Sequence, residues 1–127
     1  MEPYARRLFG AAALFNFAVA ASLLFARDRM QSLLSLDLIA GSNLQIANVA
    51  AALIAVFGYA YWRAALDPRR YRAYIELGAI GKLAVVPAVA VPWFQHAAGW
   101  QLPALALGDL AFAILFVQYL RSRRSHF

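Results

Sequence analysis

An all-α, integral-membrane bundle of four transmembrane helices is the fold class predicted for this chain of 127 residues, and three observations predict it. Hydrophobic residues make up 64% of the chain and charged residues 14%, against roughly 45–50% and about 25% in soluble domains. A soluble domain of about 150 residues buries only roughly 70% of its exposable surface, so this much apolar area has nowhere to go in water. The apolar residues also gather into four runs, each close to the roughly 20 helical residues that a hydrocarbon core of about 30 Å requires. None of these runs alternates with period two, and four are too few for a closed barrel. Helices are then the remaining way to satisfy every backbone group in lipid.

The first run is 8–26, LFGAAALFNFAVAASLLFA, and the second is 43–62, NLQIANVAAALIAVFGYAYW. The third is 74–94, YIELGAIGKLAVVPAVAVPWF, and the fourth is 101–120, QLPALALGDLAFAILFVQYL. Together they make residues 1–127 one transmembrane domain. Asp67 followed by Pro68 reads as an N-cap with proline in the first turn, which predicts that the third helix starts near residue 68. The half-apolar stretch 27–41 reads equally as a short interfacial helix or as an ordered loop. QHAAGW, 95–100, reads as a tight turn.

Charge orients the spans. Lys82 lies inside the third run. Of the arginines, only Arg27 and Arg29 fall between the first and second spans. Arg6, Arg7, Arg63, Arg69, Arg70, Arg72, Arg121, Arg123 and Arg124 all fall on the opposite side, so the positive-inside rule places both termini in the cytoplasm. A competing signal-peptide reading rests on the basic start at Arg6 and the A-x-A at 18–20. The apolar run continues past that point through Phe25, and cleavage leaves a less regular charge pattern. The net charge of +6 fits arginines anchored at an anionic lipid surface. No nucleic-acid motif accompanies it, and nucleic acid is not an expected partner.

Tyr4, Tyr59, Tyr61, Trp62, Tyr71 and Tyr74 at one side, with Trp93, Phe94 and Trp100 at the other, read as interfacial belts. Small residues recur at helical spacing: Ala47, Ala51 and Ala55; Gly78, Gly81, Ala84 and Ala88; Ala104 and Gly108. Such stripes let helix backbones approach closely in lipid, within one bundle or between two copies.

The polar residues at depth need a reason. The Leu, Ile, Val and Phe residues of the third span supply about −2 to −5 kcal/mol of insertion energy, and a central lysine costs roughly 2.5–3.5 kcal/mol. Pro87 and Pro92 weaken that helix further and are expected to kink it. Lys82 therefore needs a partner. Counting about 1.5 Å per residue from the arginine-rich side, Lys82 lies roughly 12 Å deep and Asp109 roughly 17 Å. A lysine stem covers that offset, and a pair costs far less than two isolated charges. The alternative is that Lys82 snorkels to the interface while Asp109 bonds to a neighbouring helix. Asn16, roughly 12 Å deep, and Asn48, roughly 20 Å deep, complete one expected polar cluster of Lys82, Asp109, Asn16 and Asn48. That cluster reads either as interhelical glue or as a functional pocket.

Glu76 follows Arg72 by one helical turn and is explained as an i,i+4 pair. Asn43 and Gln45 lie near the outer end. His96 and His126 have no ligand set around them, so no metal is expected. The chain has no cysteine, which removes disulfides, thiolate metal sites and a cysteine nucleophile. No G-x-S-x-G, HExxH, P-loop or paired haem histidines occur, so neither catalytic residues nor a cofactor is expected.

GYAYWRAALDPRRYRAYIELGAIGKL, 58–83, joins a glycine–tyrosine helix end, a D-P turn and a G-x-x-G-K helix; GDLAFAILF, 108–116, lies in the last span. With the size and hydropathy of the whole chain, these stretches resemble small four-helix bacterial inner-membrane proteins of the DoxX-like type and related uncharacterised families. The resemblance implies a multi-pass protein of the bacterial cytoplasmic membrane with a helper role beside membrane redox partners. Two functions follow. The favoured expectation is a non-catalytic accessory protein that packs against a membrane protein partner or a second copy of itself. The other is a small carrier or binding protein for a proton, lipid or other hydrophobic molecule, built on the Lys82–Asp109 cluster.

Overall fold

The computed structural model describes residues 2–34, 36, 40–95 and 100–122. All regular structure among them is helical: α1 (Glu2–Phe25), α2 (Arg27–Leu34), α3 (Ser42–Leu66), α4 (Arg72–Phe94) and α5 (Gln101–Ser122). Four of these helices, α1, α3, α4 and α5, are long and apolar enough to cross a membrane. The fifth, α2, occupies the half-apolar stretch that follows the first span. It buries no residue and carries Asp28 in its first turn, where a carboxylate meets the positive end of the helix dipole.

The long helices run past the apolar runs at the arginine-rich end. α1 begins at Glu2 and α3 continues to Leu66, because hydropathy measures solubility in lipid and the helical backbone does not stop where solubility does. α4, in contrast, starts at Arg72 and not near residue 68. Asp67 has extended dihedrals, φ −150° and ψ 84°, as a residue before proline prefers. It ends α3, and its Oδ1 accepts from the Arg70 amide at 3.3 Å. Asp67 thus caps the turn at 68–71 and not the next helix. α4 runs through Pro87 and Pro92 without interruption; each proline leaves the carbonyl one turn back, of Leu83 and Ala88, without its amide donor. The tight-turn reading of QHAAGW falls largely on 96–99, outside the described residues, as do Arg123, Arg124 and His126.

Neighbouring helices are antiparallel, with α1 against α3 and α4 against α5 as the two main pairs. They join most closely at the arginine-rich end, where Phe9, Ile75, Tyr61 and Phe116 are fully enclosed among Ala5, Ala12, Ala64 and Ala79. Small residues bring the backbones together there, and rings fill what remains. Phe9 packs on Phe116 at 5.0 Å and on Tyr119 at 5.2 Å, and Tyr61 meets Phe116 at 5.2 Å. Tyr61 therefore turns inward and leaves the aromatic belt, whereas Tyr59, Trp62, Trp93 and Trp100 remain exposed. Toward the other end the two pairs diverge and a cavity opens between them.

Candidate functional site

Lys82 stands about 15 Å along α4 from Arg72, near the middle of the helix. It is 3% exposed. Its Nζ lies 2.6 Å from Oδ1 of Asp109 on α5 and 3.1 Å from Oδ1 of Asn16 on α1, and donates to both. Asn16 Nδ2 in turn donates to the carbonyl of Ile54 on α3 at 3.0 Å. One hydrogen-bonded chain, Ile54–Asn16–Lys82–Asp109, thus crosses all four long helices.

Three rings enclose the ammonium group. Nζ lies 5.3 Å from the centroid of Phe15, 5.2 Å from Tyr61 and 5.3 Å from Phe112. Ring faces attract a cation at this range, and more strongly where water is excluded. A carboxylate oxygen, an amide oxygen and the aromatic faces thus replace the hydration shell that burial removes, and a buried ion pair is tolerable only with partners beyond the pair itself.

Glycines make room for the arrangement. A Cβ on Gly58 would meet Phe17 at 3.0 Å and Cβ of Asn16 at 3.2 Å, so a side chain there would crowd the approach of α1 by which Asn16 reaches the Ile54 carbonyl. A Cβ on Gly81, beside Lys82, would meet Phe57 at 3.3 Å, and one on Gly108, beside Asp109, would meet Phe15 at 3.4 Å. Gly78 takes the ring of Tyr61 so closely that no side chain fits. The small-residue stripes predict that Gly78, Gly81 and Gly108 seat neighbouring backbones. They seat aromatic rings instead, because the large residues of adjacent helices fill the space. Ala104 is exposed.

The structure brings Lys82, Asp109 and Asn16 together and leaves Asn48 out. Asn48 is exposed, and its Oδ1 accepts from Arg27 Nη2 at 3.3 Å. It stands about 9 Å from the start of α3 and a similar distance beyond Ile54. The α3 backbone supplies the contact expected from the Asn48 side chain. Gly58 and the rings of Phe15, Tyr61 and Phe112 join the site without being anticipated from the sequence. Gly58 has a legible signal, since it extends the stripe of Ala47, Ala51 and Ala55 at helical spacing; the rings have none beyond the adjacency of Phe15 to Asn16. Among the described residues, no three His, Asp or Glu side chains gather as a metal site.

Above this cluster lies the cavity, about 700 Å³ in volume. Lys82, Asp109 and Asn16 form its floor, and its walls are apolar, with Val19 from α1, Ile54 from α3, Val85 from α4 and Leu105 from α5. Met30 and Leu34 of α2 and Asn43 of α3 line its mouth, at the end away from the arginine-rich side. From floor to mouth, along α1 from Asn16 to Phe25, is roughly 14 Å. The Asp109 side chain keeps 19% of its surface accessible, against 4% for that of Lys82.

The class so defined has four span-length apolar helices, tied at mid-length by one charged hydrogen-bond chain, with an apolar cavity above it. No protein-family model, curated protein or solved structure matches this chain.

Proposed function

We propose that this protein is a membrane-embedded binding or carrier protein that holds a hydrophobic small molecule in the cavity above Lys82 and Asp109. The carrying observation is the cavity itself: about 700 Å³, apolar walls and a few polar groups at one end. Small-molecule sites are typically concavities of roughly 300–1,000 Å³ with this combination of lining. The reading places the chain in the bacterial cytoplasmic membrane with both termini cytoplasmic, supported by the crowding of arginines at one end and by the resemblance in size and hydropathy to small four-helix bacterial inner-membrane proteins. The cavity then opens toward the outer leaflet, and lipid is the immediate source of its ligand.

The test is native mass spectrometry of the purified protein, released from lipid nanodiscs, beside Ala50→Phe. Ala50 lines the cavity, so a phenylalanine ring there intrudes into it. Wild type should retain one small hydrophobic molecule per chain and the variant markedly less, at equal thermal stability. Equal retention by both would overturn the reading.

The accessory reading has one observation in its favour. Ala84, Ala88 and Ala104 are small, apolar and exposed on α4 and α5, as a face that receives another helix would be. Its mark is crosslinking through cysteines placed at Ala84 and Ala88, to a second copy or to a membrane partner.

A further inference from the structure

We propose that the cavity selects a neutral amphiphile with a single hydroxyl as its polar group, and that this hydroxyl donates to the free carboxylate oxygen, Oδ2, of Asp109. The inference rests on the cavity reading and adds which polar group the floor accepts.

The hydrogen-bond inventory of the floor carries it. Asn16 accepts from Lys82 through Oδ1 and donates to Ile54 through Nδ2, and is 6% exposed. Lys82 gives two of its three N–H bonds to Asp109 and Asn16, and rings surround the rest of the ammonium group. Its side chain is 4% accessible, so it presents little surface to the cavity. Asp109 meets Lys82 through Oδ1 alone. Oδ2 has no protein donor among the described residues, and Asp109 is the most exposed side chain of the floor. Tyr61, which also lines the cavity, is 1% exposed, so Asp109 offers the cavity the most accessible unfilled group of its floor.

Charge then sorts the candidates. Lys82 and Asp109 cancel, so the floor is neutral as a unit. An anionic head group would meet the more exposed carboxylate before the buried cation. A cationic head group would add an uncompensated charge in an apolar chamber, which is costly. A hydroxyl fills the acceptor without altering the balance, and a bond to an ionised acceptor is among the stronger hydrogen bonds. A body without a donor leaves Oδ2 desolvated and unpaired.

Four probes with the same saturated chain test this: tetradecanol, tetradecyl methyl ether, myristate and tetradecylamine. Each competes with radiolabelled tetradecanol for the protein in nanodiscs. The variants are wild type and the double substitution Lys82→Met with Asp109→Leu, which removes both charges at once. Wild type should favour the alcohol over its ether by about tenfold, as the loss of one hydrogen bond to a charged group implies, and bind the acid and the amine more weakly still. The double variant should bind alcohol and ether alike. Equal binding of alcohol and ether by wild type, or tighter binding of the acid or the amine, overturns the hydroxyl assignment and leaves the cavity reading standing. Binding of none of the four overturns the cavity reading itself.

Discussion

Asn16 and Lys82 lie 66 residues apart in sequence and 3.1 Å apart in space. Their hydrogen bond joins α1 to α4, two helices that otherwise belong to different pairs. Asn16 also bonds the Ile54 carbonyl, so the amide links the α1–α3 pair to the α4–α5 pair at the level where the cavity begins. Below it the bundle is closed by alanines and rings; above it the pairs stand apart.

Because that link carries charge, its members should fail singly and succeed together. Lys82→Met and Asp109→Leu alone each leave an unpaired buried charge and should destabilise by about 3–5 kcal/mol, and the double substitution should recover most of the loss. Thermal unfolding in one detergent reads all three. If the two single losses simply add in the double variant, the side chains are not coupled.

Asn16→Ala removes one acceptor from Lys82 and one donor from Ile54. The expected loss is roughly 1–3 kcal/mol, larger than the average interhelical hydrogen bond because the partner is charged. Asn48→Ala removes an exposed contact with Arg27 and should change the midpoint little. Equal effects from the two asparagines would contradict the placement of Asn16 as the link.

Two glycine substitutions should differ in sign. Gly78→Ala drives a methyl group into the buried ring of Tyr61 and should cost about 1–3 kcal/mol, as overpacking does. Gly10 has nothing within 4 Å of a built Cβ, so Gly10→Ala should gain about 0.5–1 kcal/mol from helix propensity. The same unfolding measurement compares them directly.

The Arg72–Glu76 pair, 3.3 Å apart across one turn of α4, is half open to its surroundings. Glu76→Gln should shift stability by no more than a few tenths of a kcal/mol, as exposed helical pairs do. A loss comparable to that of Asp109→Leu would mean that this pair does more than solvate the helix end.

Orientation is open to direct labelling, since the chain has no cysteine of its own. Asp28 and Arg70 are both exposed, at opposite ends of the bundle. In intact cells a membrane-impermeant maleimide should modify Asp28→Cys and spare Arg70→Cys until the cells are lysed. The reverse pattern would invert the proposed topology.

The four long helices, their order and the contact of Lys82 with Asp109 are all legible in the linear chain. Length and composition decide whether a segment can span, and two opposite charges at matching distances from the helix ends find each other because isolation costs more. The same counting puts Asn48 beside Asn16, and there it fails. Helix ends extend beyond the apolar runs, so distances measured from the runs drift by several residues. The larger gap is rotational. Each residue turns a helix by about 100°, and a helix that is apolar on every side has no polar stripe to say which face turns inward. Tyr61 inward and Tyr59 outward, Gly58 against Asn16, Ala104 exposed and the chamber above Lys82 all depend on that rotation. It is settled only when rings from one helix find the glycines of another, so packing between helices, and not the pattern along any one of them, decides where the cavity lies and which acceptor it exposes.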